Sequence, residues 1–119
     1  SYLSFIILCY NFASSEVEYN ISEIKLIDLI FYNSDSVVID KGLVYEIIDN
    51  DKLYLGRISE GKKDGDWYEF FNNSKIKIKG IFLKGDSIET FSWFNSQGVL
   101  LKERIFHKNG ITQKKYEYH

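Results

Sequence analysis

At 119 residues the chain is long enough for one domain with a modest core and too short for two, which excludes an enzyme built around a cleft between domains. Nine tyrosines and nine phenylalanines, with no proline or methionine, favour strands over helices. The net charge is −2. It is unevenly spread: residues 1–55 set three lysines against nine acids, whereas residues 56–119 set twelve bases against eight acids. That basic excess falls well short of the excess typical of nucleic-acid binders, so nucleic acid is not an expected partner.

The chain opens on "YLSFIILCYNFASS", an apolar run followed by small residues. This pattern matches the tail of a secretory signal, and "IILC" matches a lipoprotein signal whose cysteine, Cys9, becomes acylated. Leu8 stands where the lipoprotein pattern wants a small residue. The structural alternative is a buried first strand or short helix, since the run is too short to span a membrane. The targeting reading starts the mature chain near residues 14–16 and places it outside the cytoplasm, in the periplasm or envelope. Cys9 is the only cysteine, so an internal disulfide and a multi-cysteine zinc site are both excluded.

Residues 16–41 carry apolar positions Ile21, Ile24, Ile27 and Leu29 to Phe31. Their spacing suits a short helix or strands and does not choose between them. The simplest role for this segment is a cap, because an open sheet needs a covered or polar end.

From residue 42 onward the chain repeats itself. "YEIIDNDKLYLGRISEG" (45–61) and "YEFFNNSKIKIKGIFLKG" (68–85) share Tyr-Glu, two large apolar residues, an Asn-containing turn, a lysine, an alternating run and closing glycines. A third copy, "FSWFNSQGVLLKERIFHKNG" (91–110), keeps the aromatics, the turn and the last glycine. Gly61, Gly85 and Gly110 step by 24 and then 25 residues, and each precedes an aromatic, Trp67, Phe91 or Tyr116, by six. Such a period marks a repeat architecture whose units must pair to bury their apolar faces. The expected fold is all-β: an antiparallel β-meander of consecutive hairpins in an elongated open sheet, spanning 42–119.

Gly56, Gly61, Gly65, Gly80, Gly85, Gly98 and Gly110 read as turn glycines, with Asn72-Asn73-Ser74 and Asn95 to Gly98 as the other turn signals. "GDSIET" (85–90) lacks the inner glycine that Gly65 supplies one copy earlier. A looser or longer turn is expected there.

Tyr54, Gly56, Gly61, Gly65, Trp67, Phe70, Phe71, Lys75, Gly80, Phe82 and Gly85 together resemble the MORN-type repeat, in the variant of the bacterial YwqK-type antitoxin-like proteins. The resemblance covers about 42–119 and is strongest over 54–85. Ser74 departs from it where a turn glycine is expected, and Ser87 to Thr90 lack the Asp-Gly-x-Trp core. It implies a hairpin-repeat fold without catalytic activity, a protein partner such as a toxin, and, from eukaryotic cousins, membrane phospholipid. An exported or lipid-anchored envelope protein is the alternative role.

Two candidate surfaces emerge from the strands. Lys75, Lys77 and Lys79 alternate with Ile76 and Ile78, so all three ammonium groups are expected on one strand face. They would grip phosphates of lipid or nucleic acid, or else form a solvated face that deters aggregation. The aromatic set Trp67, Phe71, Phe91, Trp93 and Tyr116 is the candidate partner-binding surface, because neighbours such as Trp93 and Phe94 point to opposite faces and cannot share one core. Packing within the sheet is the alternative. His107 and His119 are the only histidines and have no accompanying nucleophile motif. No catalytic residue, metal site, cofactor or small-molecule substrate is therefore expected.

Overall fold

The computed structural model describes residues 16–106 in full and the backbone of residues 112–117. Among the described residues ten strands carry the fold: β1 (Glu18–Asn20), β2 (Lys25–Ile27), β3 (Ile30–Tyr32), β4 (Lys41–Ile48), β5 (Asp51–Ser59), β6 (Lys62–Phe70), β7 (Ile76–Leu83), β8 (Asp86–Phe94), β9 (Leu100–Phe106) and β10 (Thr112–Glu117). A single turn of 3-10 helix, Ile21–Glu23, follows β1, with the Asn20 side chain accepting from the Ser22 amide. Eight strands form one sheet in the order β1-β4-β5-β6-β7-β8-β9-β10. From β4 to β10 every neighbour is antiparallel and consecutive in sequence. The all-β meander of hairpins is thus present, with one parallel pair, β1 against β4, at its edge.

Two turn designs recur along the chain. The hairpins β2–β3, β4–β5, β5–β6 and β7–β8 close through Asp28-Leu29, Asp49-Asn50, Glu60-Gly61 and Lys84-Gly85, both residues of each pair having positive φ. Turns of this kind match the right-handed twist of the flanking strands. The other design spans five residues: Asn33–Val37, Phe71–Lys75 and Asn95–Val99. In each, the first amide donates to the fifth carbonyl and the fourth amide donates to the first carbonyl. Ser36, Ser74 and Gly98 take the left-handed position in the three copies. Asn33 Oδ1 accepts from the amides of Asp35 and Val37, as Asn95 Oδ1 does from Gln97 and Val99. The N-terminal segment, less regular than the meander, nevertheless contains a copy of this repeat turn.

The copy at 85–90 is neither looser nor longer than its neighbours. Lys84-Gly85 is the same two-residue turn as Glu60-Gly61, and Glu89 (φ 56°) holds the left-handed position of Gly65 (φ 77°). Twenty-four residues beyond Glu89, β10 shifts register between Thr112 and Lys114. Gly65 and Glu89 lie within β6 and β8, so Gly65 is a left-handed residue inside a strand and not the turn glycine expected.

Gly56 and Gly80 are not turn residues, which corrects that expectation. Both lie mid-strand, in β5 and β7, and each is a seat for an aromatic ring eleven residues later. A Cβ on Gly56 would fall far inside contact distance of the Trp67 indole, and one on Gly80 would do the same to the Phe91 ring. The edge repeats the device: a Cβ on Gly42 would stand 2.6 Å from Tyr19 Cε2. Absence of a side chain, not freedom of φ, is what these three positions require.

Trp67 also explains how the sheet survives a gap. β5 and β6 pair only from Arg57 opposite Asp64 to Ser59 opposite Lys62, and then diverge. The Trp67 ring bridges the divergence, resting on Gly56 while its Nε1 donates to the Arg57 carbonyl at 2.9 Å. The β2–β3 hairpin folds over this point. Phe31 stacks on Trp67 with ring centres 5.6 Å apart, and the Phe31 amide donates to the Gly61 carbonyl at 2.8 Å. Phe31, Ile39, Val44, Leu55, Ile58 and Trp67 form the core. The core therefore sits between the hairpin and the first half of the sheet.

Candidate interaction surface

Strand register places Trp67, Gly80, Ile78 and Trp93 on the core-facing side, through the pairs Trp67 with Gly80 and Ile78 with Trp93. Lys102 lies opposite Trp93 and Arg104 opposite Phe91, so β9 adds two cations to the same side. The hairpin covers only the first half of this face. Past it the aromatics continue from the core toward solvent: Phe82 meets Phe91 edge to face at 5.8 Å, and Phe91 meets Trp93 at 4.9 Å. Phe82, Phe91 and Trp93 are all half-buried.

Where the hairpin ends, a concavity of about 340 Å³ opens between it and the sheet. Ile21, Ile24, Phe31, Phe70, Ile78 and Phe82 give it apolar walls, while Lys63, Lys77, Glu46 and Glu69 supply the charges. Few polar groups converging on an apolar hollow is the usual make-up of a binding site.

The cations on this face rest on aromatic rings. Lys63 Nζ is 4.9 Å from the Phe82 ring centre and 5.1 Å from that of Trp67. Burial pushes its ammonium below the ordinary lysine range, with the Glu69 charge opposing. Lys102 Nζ sits 4.4 Å over Trp93, whose ring also lies 6.0 Å from the Arg104 guanidinium. Lys77 Nζ is 5.7 Å from Phe71. Ring faces attract cations through their quadrupole and hold long side chains in place.

Elsewhere, the edge strand is fastened by charge. Glu18 pairs with Lys52 and accepts from the Tyr54 hydroxyl at 2.7 Å, and Glu16 pairs with Arg57. The hydrogen bonds from Lys52 and Tyr54 hold the Glu18 carboxyl below its ordinary range. They raise the Lys52 ammonium and the Tyr54 phenol in turn.

The sequence-derived candidates separate into distinct places. Phe91 and Trp93 lie together on the half-exposed face. Trp67 is only 5 % exposed, so it belongs to the core and offers no open contact, because Phe31 covers it. Phe71 begins the β6–β7 turn beside Lys77. The backbone of Tyr116 pairs with Glu103, extending the sheet, but its side chain lies outside the described residues, as do Gly110 and Cys9.

The lysines do not form the expected single stripe. Lys75 belongs to the turn and its Nζ donates to the Gln97 carbonyl at 3.5 Å. Lys77 falls at a register shift, between Ile78 opposite Glu69 and Ile76 opposite Phe70, and lines the concavity. Lys79 pairs with Tyr68 and Ser92 on the other face. Only Lys77 is near the aromatic surface.

Sequence reasoning missed Phe31, Lys63, Lys102 and Arg104. For Phe31 a signal existed: "NSDSV" (33–37) copies "NSQGV" (95–99), which would have tied the segment around it to the repeats. Among the described residues, no cluster of three His, Cys, Asp or Glu could hold a metal ion, and no helix is long and apolar enough to cross a membrane. No family model, curated protein or solved structure matches this chain.

Proposed function

We propose that the chain is a noncatalytic hairpin-repeat module of the MORN type that binds a protein partner, as an antitoxin-like protein holds a toxin. The observation that supports this reading most is the aromatic path Phe82–Phe91–Trp93, which leaves the core and continues past the covering hairpin. Half-buried aromatics with an arginine beside them, here Phe91 and Trp93 with Arg104, have the composition of interface centres, where aromatic residues and arginine are enriched. The 340 Å³ concavity beside them would receive an apolar side chain of the partner.

The test places a photo-crosslinking amino acid at position 93, and separately at position 79 on the opposite face, in cells that make the protein. Position 93 is expected to capture one defined protein in stoichiometric yield, and position 79 to capture none of it. Equal capture from both faces, or none from position 93, would rule out this surface as the interface.

A further inference from the structure

We propose that the segment docking on this face is acidic: an extended stretch of the partner in which carboxylates alternate with apolar residues. The inference rests on the reading of the face as a protein-binding surface and names the chemistry of what it binds. Four cations, Lys63, Lys77, Lys102 and Arg104, lie along the path of Trp67, Phe71, Phe82, Phe91 and Trp93. Among the described residues none of the four is in a salt bridge; the two bridges there involve Lys52 and Arg57.

The carboxylates lining the same concavity are Glu46 and Glu69, and Glu69 shares a cross-strand row with Ile78 and Trp93, two strands away from Trp93. Glu103 lies opposite Ser92, with the other side of β8. On the β10 backbone, Lys115 stands opposite Arg104 and Glu117 opposite Lys102. The end of the path around Trp93 is therefore its most cationic part. A cation held on a ring has already lost part of its hydration and rotamer freedom, so a carboxylate arriving there gains a charge-assisted bond at lower cost.

A short acidic segment fits this pattern better than a polyanion. The chain as a whole carries −2, with nine acids in residues 1–55. A nucleic acid or an anionic membrane would meet that repulsion over many charges, whereas a segment of a few carboxylates senses only what lies within about 8 Å at physiological salt. Strand geometry supplies the alternation. Successive residues of an extended segment point to opposite sides, so in a segment lying along β8 the apolar residues turn toward the concavity and the carboxylates turn toward Lys102 and Arg104 on β9.

The experiment measures binding of a fluorescein-labelled heptapeptide alternating glutamate with valine or leucine, by anisotropy at low and physiological salt. Its probes for comparison are the same peptide with lysine for glutamate, an oligothymidylate, and vesicles containing phosphatidylserine. The acidic peptide is expected to bind saturably and to weaken as salt rises. R104E and K102E should each weaken it about tenfold, whereas K79E should leave it unchanged. Lys102→Gln and Arg104→Gln keep the test valid if a reversal unfolds the domain, with several-fold weakening expected from each and folding checked by circular dichroism.

No binding of the acidic peptide, equal binding of its basic counterpart, or equal loss from K79E would overturn the proposal. Tighter binding of the oligonucleotide or the vesicles would overturn it in favour of those ligands. If position 93 captures a partner whose crosslinked segment is not acidic, this inference fails while the broader reading survives.

Discussion

The indole of Trp67 lies on the backbone of Gly56, eleven residues before it and across the point where β5 and β6 part. The same interval sets the Phe91 ring on Gly80. Each repeat thus stitches itself to the next through a ring laid on a glycine.

Gly56→Ala and Gly80→Ala should each destabilise the fold by about 1–3 kcal/mol, the usual cost of overpacking a filled site. Neither glycine sits at positive φ, so the loss comes from the ring that must move. The difference in urea midpoint from wild type measures it. A neutral result at both positions would mean that the rings do not need these seats.

Glu89 provides the opposite sign. It holds φ 56° where the preceding copy has Gly65, and a left-handed conformation costs a side-chain-bearing residue roughly 1–2 kcal/mol. Glu89→Gly should therefore raise stability, by up to about 1 kcal/mol after the greater unfolded-state entropy of glycine is subtracted. Thermal and urea unfolding should agree on the increase.

Phe31 is 1 % exposed and stacked on Trp67. Phe31→Ala should cost about 3–5 kcal/mol, and hydrogen exchange should show the loss first in β3 and at the Gly61 end of β6. Uniform loss across the sheet would indicate that the hairpin is not a local cover but part of one cooperative unit.

The Glu18 link gives a pH dependence. Its carboxyl is held below the ordinary range by the hydrogen bonds from Lys52 and Tyr54, so the folded-state value lies under the unfolded one. The stabilisation is present above the unfolded value and is lost as pH falls through the folded one. Glu18→Gln should thus lower the melting temperature at neutral pH and cease to differ from wild type at strongly acid pH. All three groups are exposed, so the effect will be small and will shrink with salt.

The second half of the chain was legible because its turns and rings recur at a fixed period, and Gly61 and Gly85 close hairpins as read. The roles of Gly56 and Gly80 were not, since a glycine that makes a turn and one that makes room look alike in sequence. The N-terminal third was hidden by the shortness of its strands, three residues each in β1, β2 and β3, too few to show a period. Its Asp28-Leu29 turn carries no glycine or asparagine to announce it. Of the proposed interaction surface, Phe91 and Trp93 could be chosen from alternation, but their separation from Trp67 depends on where the hairpin ends. Lys102 and Arg104 joined them only through the β8–β9 register.

The two tryptophans offer the most direct test that the uncovered half of this face is the binding surface. Trp67 Nε1–H is engaged by the Arg57 carbonyl beneath Phe31, whereas Trp93 stands half-exposed between Lys102 and Arg104. A nitrogen–proton correlation spectrum resolves the two indole signals during titration with the partner captured from position 93. The Trp93 signal should move progressively to saturation while that of Trp67 stays in place; a stationary Trp93 signal at saturating partner would contradict the binding surface described above.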